Sequence, residues 1–406
     1  MMTLGKICFA GDTALTLLIE STYESQEQYL RPMLMLKSLL EAGANVELPE
    51  SPATGPLHMA AKKCLTYFVE QLIEARADVH REDPSGKTPL IVAAENSGYE
   101  NRGVVQALID AGAKVDYQDT EGHTALSRCL DQNSLNLDGV IGSVSSLLAA
   151  SADVELPPEP ARSPLQEVAS KGNNLYILEQ LIEAGADVNR SSATGKTALM
   201  FSATGSKSGA DLLIHAGADI AAVNDAGESA LLQICQYERS ESQSLFVDYL
   251  LVGGADVSTA SSTGTTPLHE AADSGLPYVC RRLVESGASV DAVDARGYTP
   301  LMSVRRYRHY NYLMIEILLA AGSDVNHESN TDGTIVHLLV DYNDERSLKL
   351  VMGFCPDLTK TNNQGQTPLS LAQSKSNYEG YIDILNAQYT ASCAYNLKIY
   401  KEGDRW

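Results

Sequence analysis

The chain has 406 residues, 52 of them Asp or Glu against 30 Lys or Arg, for a formal charge of -22; nucleic acid is disfavoured because its phosphates would be repelled, and basic or neutral partners are favoured. Hydrophobic residues make up 44%, enough for a large core, yet the longest apolar runs stay well short of the ~20 residues needed to cross a bilayer. No membrane partner is expected, and Met1 to Gly11, with one lysine and no sustained apolar stretch, does not read as a secretory leader.

Helix-opening signals recur from the start of the chain. Gly11-Asp12-Thr13-Ala14-Leu15 opens a first unit, in which a long polar connection, Ser21 to Pro32, separates two predicted helices. Residues 1–10 are expected to cover the exposed end of that unit. The opening position returns at Gly55, Thr88, Thr124, Ser163, Thr197, Ser229, Thr266, Thr299, Thr334 and Thr367. The fullest copy runs from Gly264 to Asp294. There Thr266-Pro267-Leu268-His269 opens a short helix, since proline suits the first helical position, where the missing N–H has no partner to lose. Gly275 stops that helix, Val279 to Val284 form a returning one, and Gly287 ends it with a left-handed residue. Ala288 to Asp291 then run into a hairpin finger, and Gly297 turns the chain into the next unit.

The copies are themselves grouped. Glu70 begins EQLIEARADV and Glu179 begins EQLIEAGADV, and the fingers Val46-Glu47-Leu48-Pro49 and Val154-Glu155-Leu156-Pro157 match, which points to duplication in blocks of three. The first member of each block carries a long polar connection: Ser21 to Pro32, Asp131 to Asp138, and Glu238 to Ser244. Arg76, Ser151 and Cys355 replace the helix-ending glycine, and a side chain in the left-handed region costs roughly 1 kcal/mol. The seven cysteines, Cys8, Cys64, Cys129, Cys235, Cys280, Cys355 and Cys393, show no C-x-x-C or metal-ligand spacing. They read as reduced thiols in a cytoplasmic or nuclear protein, with no metal or cofactor implied.

The TPLH signal, the Gly-Ala-Asp-Val ending and a period of about 33 residues resemble the ankyrin-repeat family. The resemblance implies an all-α repeat solenoid of stacked helix-turn-helix units with short β-hairpin fingers, eleven units forming one continuous array over residues 1–385, with 386–406 as a C-terminal cap or tail. It also implies a structural role for His58, His269 and His337, whose rings would hydrogen-bond between turns and neighbouring repeats. Gly86-Lys87-Thr88 and Gly195-Lys196-Thr197 imitate the end of a phosphate-binding loop, but Arg81 and Arg190 stand where its first glycine belongs. His269-Glu270 lacks the second zinc-protease histidine, and no G-x-S-x-G occurs. Catalytic residues are therefore not expected.

In the family, partners bind a concave face built from finger tips and two successive exposed positions late in each inner helix. Carried over, those positions are small and polar early in the chain, with Lys62 and Lys63 in the second repeat. Between repeats 7 and 10 they hold Tyr237, Asp273, Arg306, Tyr307, Asp341 and Tyr342, with Arg296 and Tyr298 in the adjoining turn. Arg and Tyr are enriched at interface hot spots. The resemblance thus implies a monomeric, non-catalytic scaffold for a protein or peptide. Two competing readings are a small-molecule or catalytic pocket near repeats 7 to 10, and the targeting subunit of a larger complex.

Overall fold

A computed structural model describes residues 14–22, 30–47, 54–96, 101–131, 137–157, 162–172, 174–204, 209–237, 241–304, 311–375 and 378–386. The chain divides into two compact units, Met1–Ala193 and Thr194–Trp406. The first contains α1 (Ala14–Ser21), α2 (Leu30–Glu41), α3 (Pro56–Lys62), α4 (Thr66–Glu74), α5 (Pro89–Ala94), α6 (Asn101–Asp110), α7 (Ala125–Asp131), α8 (Leu137–Ala149), α9 (Pro164–Lys171) and α10 (Leu175–Glu183). The second contains α11 (Ala198–Thr204), α12 (Ala210–His215), α13 (Ala230–Tyr237), α14 (Glu241–Val252), α15 (Pro267–Ser274), α16 (Pro277–Glu285), α17 (Asn311–Ala320), α18 (Ile335–Tyr342), α19 (Glu345–Met352), α20 (Pro368–Gln373) and α21 (Glu379–Asn386). Each short inner helix is followed by an outer one. The exception is the ninth repeat, where Thr299–Ser303 is a hydrogen-bonded turn, residues 305–310 lie outside the described residues, and only the outer helix α17 is seen.

Local chemistry sets the inner helices. Ser163 and Gln166 form a reciprocal capping box at the start of α9, an arrangement worth about 1 kcal/mol. At α15 and α18 a histidine completes the box: Thr266 N–H donates to His269 Nδ1 (3.2 Å), and Thr334 N–H to His337 Nδ1 (3.1 Å). The opposite ring nitrogen donates to the next finger, His269 Nε2 to Tyr298 O and His337 Nε2 to Gln366 O, both at 2.9 Å. His58 Nε2 likewise reaches Lys87 O at 3.0 Å, whereas Gln166 donates farther back in the next finger, to Arg190 O at 2.7 Å. The expected bridging role of the three histidines is what the structure shows. Burial lowers the pKa of each ring, since a buried imidazolium would be desolvated.

Behind the caps the core repeats once per unit. The leucine two after the opening residue is fully buried at Leu90, Leu126, Leu268 and Leu301, and Ala60, Ala93 and Ala271 let neighbouring inner helices approach. Cys129 fills that small-residue slot, and Cys235 fills the next one, where Ala61, Ala94 and Ala272 stand elsewhere. Burial pushes the Cys129 and Cys280 thiols up to about 12, which leaves them as packing groups rather than nucleophiles. Cys64, Cys129, Cys235 and Cys280 are free, whereas Cys355 is disulfide-bonded. That corrects the reading of all seven as reduced: pairing depends on which sulfurs meet in space, and spacing along the chain does not encode it.

Arg76, Ser151 and Cys355 do adopt the left-handed conformation, with φ of 67°, 62° and 55°. They close their helices as glycine does elsewhere: Arg76 N–H donates to Ile73 O (2.8 Å), and Gly185 N–H to Ile182 O (3.0 Å). The fingers are hairpins too short to form strands among the described residues; one isolated antiparallel bridge joins Val223 and Ser229. Among the described residues, fingers are closed by backbone pairs such as Asp294 N–H to Tyr298 O (2.9 Å), and stitched to their neighbours by bonds such as Asn330 N–H to Arg296 O (3.0 Å).

The long connections of the first, fourth and seventh repeats are shorter than the sequence suggests. Their C-terminal parts join the outer helices α2, α8 and α14, which reach 12, 13 and 12 residues. Residues 23–29, 132–136 and 238–240 of those connections, the expected N-terminal cover at 1–10 and all but Asn386 of the C-terminal segment lie outside the described residues.

Candidate functional site

The inner-helix face of the second unit is organised by the turn before the ninth repeat. Asp294, 7% exposed, accepts from the backbone N–H of Arg296 (2.9 Å) and of Tyr298 (2.8 Å) through Oδ1. Its other oxygen takes a two-pronged bond from Arg296, Nε at 2.9 Å and a terminal nitrogen at 2.8 Å. The guanidinium lies over the Tyr298 ring, 4.5 Å from the centroid. Tyr298 donates its hydroxyl to Asp332 at 2.6 Å. Burial, followed by that bond to a carboxylate and the charge of Asp332, raises the Tyr298 pKa; the phenol stays protonated. Tyr342 acts electrostatically on Tyr298 as well, and Asp273 on Arg296. The structure thus brings Asp273, Arg296, Tyr298 and Tyr342 into one cluster.

Within that cluster the roles differ. Tyr298 is 9% exposed and forms a wall, whereas the Arg296 side chain is 62% exposed although its position is fixed. Asp341 is paired with Lys375, whose ammonium also lies 5.4 Å from the Tyr378 ring centroid. Tyr237 ends α13, with its side chain outside the described set, and Arg306 and Tyr307 lie outside the described residues. Upstream, Glu228 gathers amide donors from Asn224 (2.9 Å), Gln233 (3.1 Å) and Gln236 (3.2 Å). Burial opposes its ionisation, but these donors and the charge of Lys196 outweigh it and lower its pKa.

In the first unit the same positions serve the fold. Lys63 donates to the carbonyls of Glu20 and Thr22 (2.6 and 3.2 Å), Asn96 to Lys62 O (2.9 Å), and Lys171 to Leu130 O (2.7 Å). Each caps the C-terminal end of the preceding inner helix, where carbonyls lack partners and positive charge is favoured. Glu95 is flanked by Lys87 Nζ at 2.5 Å and Arg128 Nε at 3.6 Å. Arg128 also bridges to Asp119 and Glu121, both at 2.5 Å. Burial opposes ionisation of Asp119, yet the His123 backbone N–H and the Arg128 guanidinium outweigh it and hold the carboxyl below its usual range.

Sequence reasoning missed the groups that fix these side chains. Asp294 belongs to a recurrent turn in which an Asp or Asn three residues before the turn glycine accepts two backbone N–H groups, as Asp83, Asp119, Asn224 and Asn362 also do. The D-x-x-G spacing was the available signal. Arg81 and Arg190 are clamps on the preceding finger. Arg190 bonds Glu155 O, Glu155 Oε2 (2.9 Å) and Pro157 O (3.0 Å), while Arg81 bonds Glu47 O and Glu47 Oε2 (3.2 Å). A Cβ at Gly55, which stands in the opening position, would sit 3.2 Å from the Arg81 guanidinium. Among the described residues no cluster of His, Cys, Asp or Glu is placed to hold a metal, and no helix is long and apolar enough to cross a membrane.

Short inner helices, most of them opened by Thr or Ser, returning outer helices followed by a left-handed residue, and stitched fingers define a helical repeat protein. The family model for ankyrin repeats matches residues 30–119, 57–137, 138–224 and 231–329, and the chain belongs to the ankyrin-repeat family. It is 27% identical over 178 residues to the mouse B-cell lymphoma 3 protein homolog, covering 44% of this chain and 38% of that one. It is 24% identical over 258 residues to human SH3 and multiple ankyrin repeat domains protein 2, covering 63% and 12%. A putative ankyrin repeat protein, L371, of Acanthamoeba polyphaga mimivirus is 23% identical over 348 residues, covering 79% and 44%. The chain spans less than half the length of each of these three relatives.

Proposed function

We propose that this protein is a non-catalytic interaction scaffold that binds an extended peptide or a protein surface, basic or neutral in charge, in the groove of its inner helices. Ankyrin repeats mediate protein–protein interaction, and the observation that carries the finer reading is Arg296. Its side chain is 62% exposed, yet its guanidinium is held by Asp294 and stacked on Tyr298, so little side-chain freedom remains to be lost on binding. Asp273, Tyr342, Asp341, Tyr237, Arg306 and Tyr307 complete the proposed surface, with Tyr298 as its wall.

Affinity capture with mass spectrometry identifies the partner, after which substitutions locate the surface. Arg296→Ala and Tyr307→Ala each weaken binding by about 2 kcal/mol or more if they are hot spots, with helical content by circular dichroism unchanged. Lys62→Ala has little effect. For a basic partner, association slows as salt rises. If both inner-face substitutions leave affinity intact while changes within residues 23–28 or 132–136 reduce it, the long connections bind the partner and the groove does not.

A further inference from the structure

Of the carboxylates seven residues after the opening position in the first unit, Glu20, Glu95 and Asp131, Glu95 is the ion-paired one among the described residues. Glu95 lies seven residues after Thr88, and two cations reach it: Lys87, one before Thr88, and Arg128, four after Thr124 in the following repeat. Asp131 is the next carboxylate at that position, seven after Thr124. There the slot of Lys87 holds His123, and the slot of Arg128 holds Glu167. Lys171, which shares its place with the Lys375 that pairs Asp341, is turned to Leu130 O (2.7 Å) and Glu167 Oε1 (2.9 Å). Arg162 is turned to Glu167 Oε2 (3.4 Å) and Ser170 Oγ (3.2 Å). Among the described residues the Asp131 carboxylate has no hydrogen bond and no ion pair.

A cleft of about 130 Å3 opens beside it between α7 and α9. Leu130 and Pro164 line it with apolar surface, while His123, Ser127, Asp131, Glu167 and Arg162, the last turned to Glu167, give it a polar and net acidic edge. Ser127 Oγ lies 3.4 Å from His123 Nδ1, so the ring is anchored through one nitrogen. Apolar walls ending at an unpaired carboxylate suit a long aliphatic stem that carries a cation, and the equivalent place beside Glu95 is filled by a guanidinium.

We propose that this cleft receives an arginine side chain of a bound partner segment, which supplies from outside the cation that Arg128 supplies to Glu95. The proposal rests on the reading of the inner-helix face as partner-binding, and it gives that face a second contact, in the first unit.

The test uses the full chain with methyl-labelled leucine, titrated by NMR with an acetylated, amidated tripeptide carrying a central arginine, and in parallel with the same peptide carrying citrulline. Citrulline keeps the shape and loses the charge. Saturable shifts are expected at the Leu130 methyls and His123 ring protons with the arginine peptide, and binding about tenfold or more weaker with citrulline or in Asp131→Asn, as loss of a charged hydrogen bond implies. His123→Lys, which copies Lys87, should also abolish the response by filling the slot from within. No saturable shift at these groups, an equal response to citrulline, or indifference to Asp131→Asn overturns the proposal. If the arginine peptide fails here while Arg296→Ala still weakens the captured partner, the cleft is wrong and the groove stands. If the cleft takes arginine while Arg296→Ala and Tyr307→Ala leave the partner unaffected, the cleft stands and the Arg296 surface does not.

Discussion

Arg76→Gly should stabilise the protein, and Gly185→Arg should destabilise it by a similar amount. The two positions share the context Ile-Glu-Ala-x-Ala-Asp-Val and the same helix ending, with Ala77 N–H donating to Leu72 O at 2.9 Å and Ala186 N–H to Leu181 O at 3.0 Å. Both residues have positive φ, 67° at Arg76 and 90° at Gly185. A Cβ at Gly185 would meet nothing within 4 Å, and the Arg76 side chain is exposed, so packing hardly enters the comparison. What differs is the left-handed backbone, which costs a side chain roughly 1–2 kcal/mol, against the extra unfolded-state entropy of glycine, about 0.5–1 kcal/mol. The net gain for Arg76→Gly is about 0.5–1 kcal/mol, read as a higher urea midpoint at unchanged slope. Native-state amide exchange at Ala77 should slow by about two- to fivefold. If Arg76→Gly lowers the midpoint, or Gly185→Arg leaves it unmoved, conformational strain at these helix ends is not what separates the two blocks.

Two further outcomes follow from inter-repeat contacts. In His269 and His337 the ring donates through Nε2 and accepts through Nδ1, so protonation would set N–H against N–H, and burial lowers both pKa values, and that of His58, below the ordinary 6.5. The unfolded chain then binds more protons over the window from 6.5 down to the folded value, so stability is fully present above 6.5 and is lost as pH falls through that window. His269→Gln, which copies Gln166, should flatten the slope of melting temperature against pH between about 7 and 5.5; an unchanged slope would remove His269 from the account. Arg190→Ala should cost about 1.5–3 kcal/mol, because it strips charged bonds from Glu155 and Pro157 O. Arg190→Lys should recover only part of this, since an ammonium lacks the planar fork, and full recovery in chemical denaturation would refute a geometric clamp.

Much of the fold was legible because it is local. The opening Thr or Ser, the proline behind it, the buried leucine and the left-handed ending act within one helical turn, so their consequences at Ser163, Thr266, Arg76 and Ser151 could be read from neighbours a few residues away. The bridging histidines were legible through the family resemblance, since each contact recurs at one spacing. What only the tertiary structure decided were the pairings between repeats. Arg81 and Arg190, noted in the sequence only for spoiling a phosphate-loop pattern, are clamps because a neighbouring finger carries a glutamate some thirty residues earlier. Asp341 pairs with Lys375, and Arg296 turns back to Asp294. Asp131 is left unpaired because the slots that serve Glu95 carry His123 and Glu167 one repeat later. Such contacts depend on which side chains face each other across a stack, where several acids and bases lie within reach of one another. A linear pattern gives their phase, and only three-dimensional packing selects the partner.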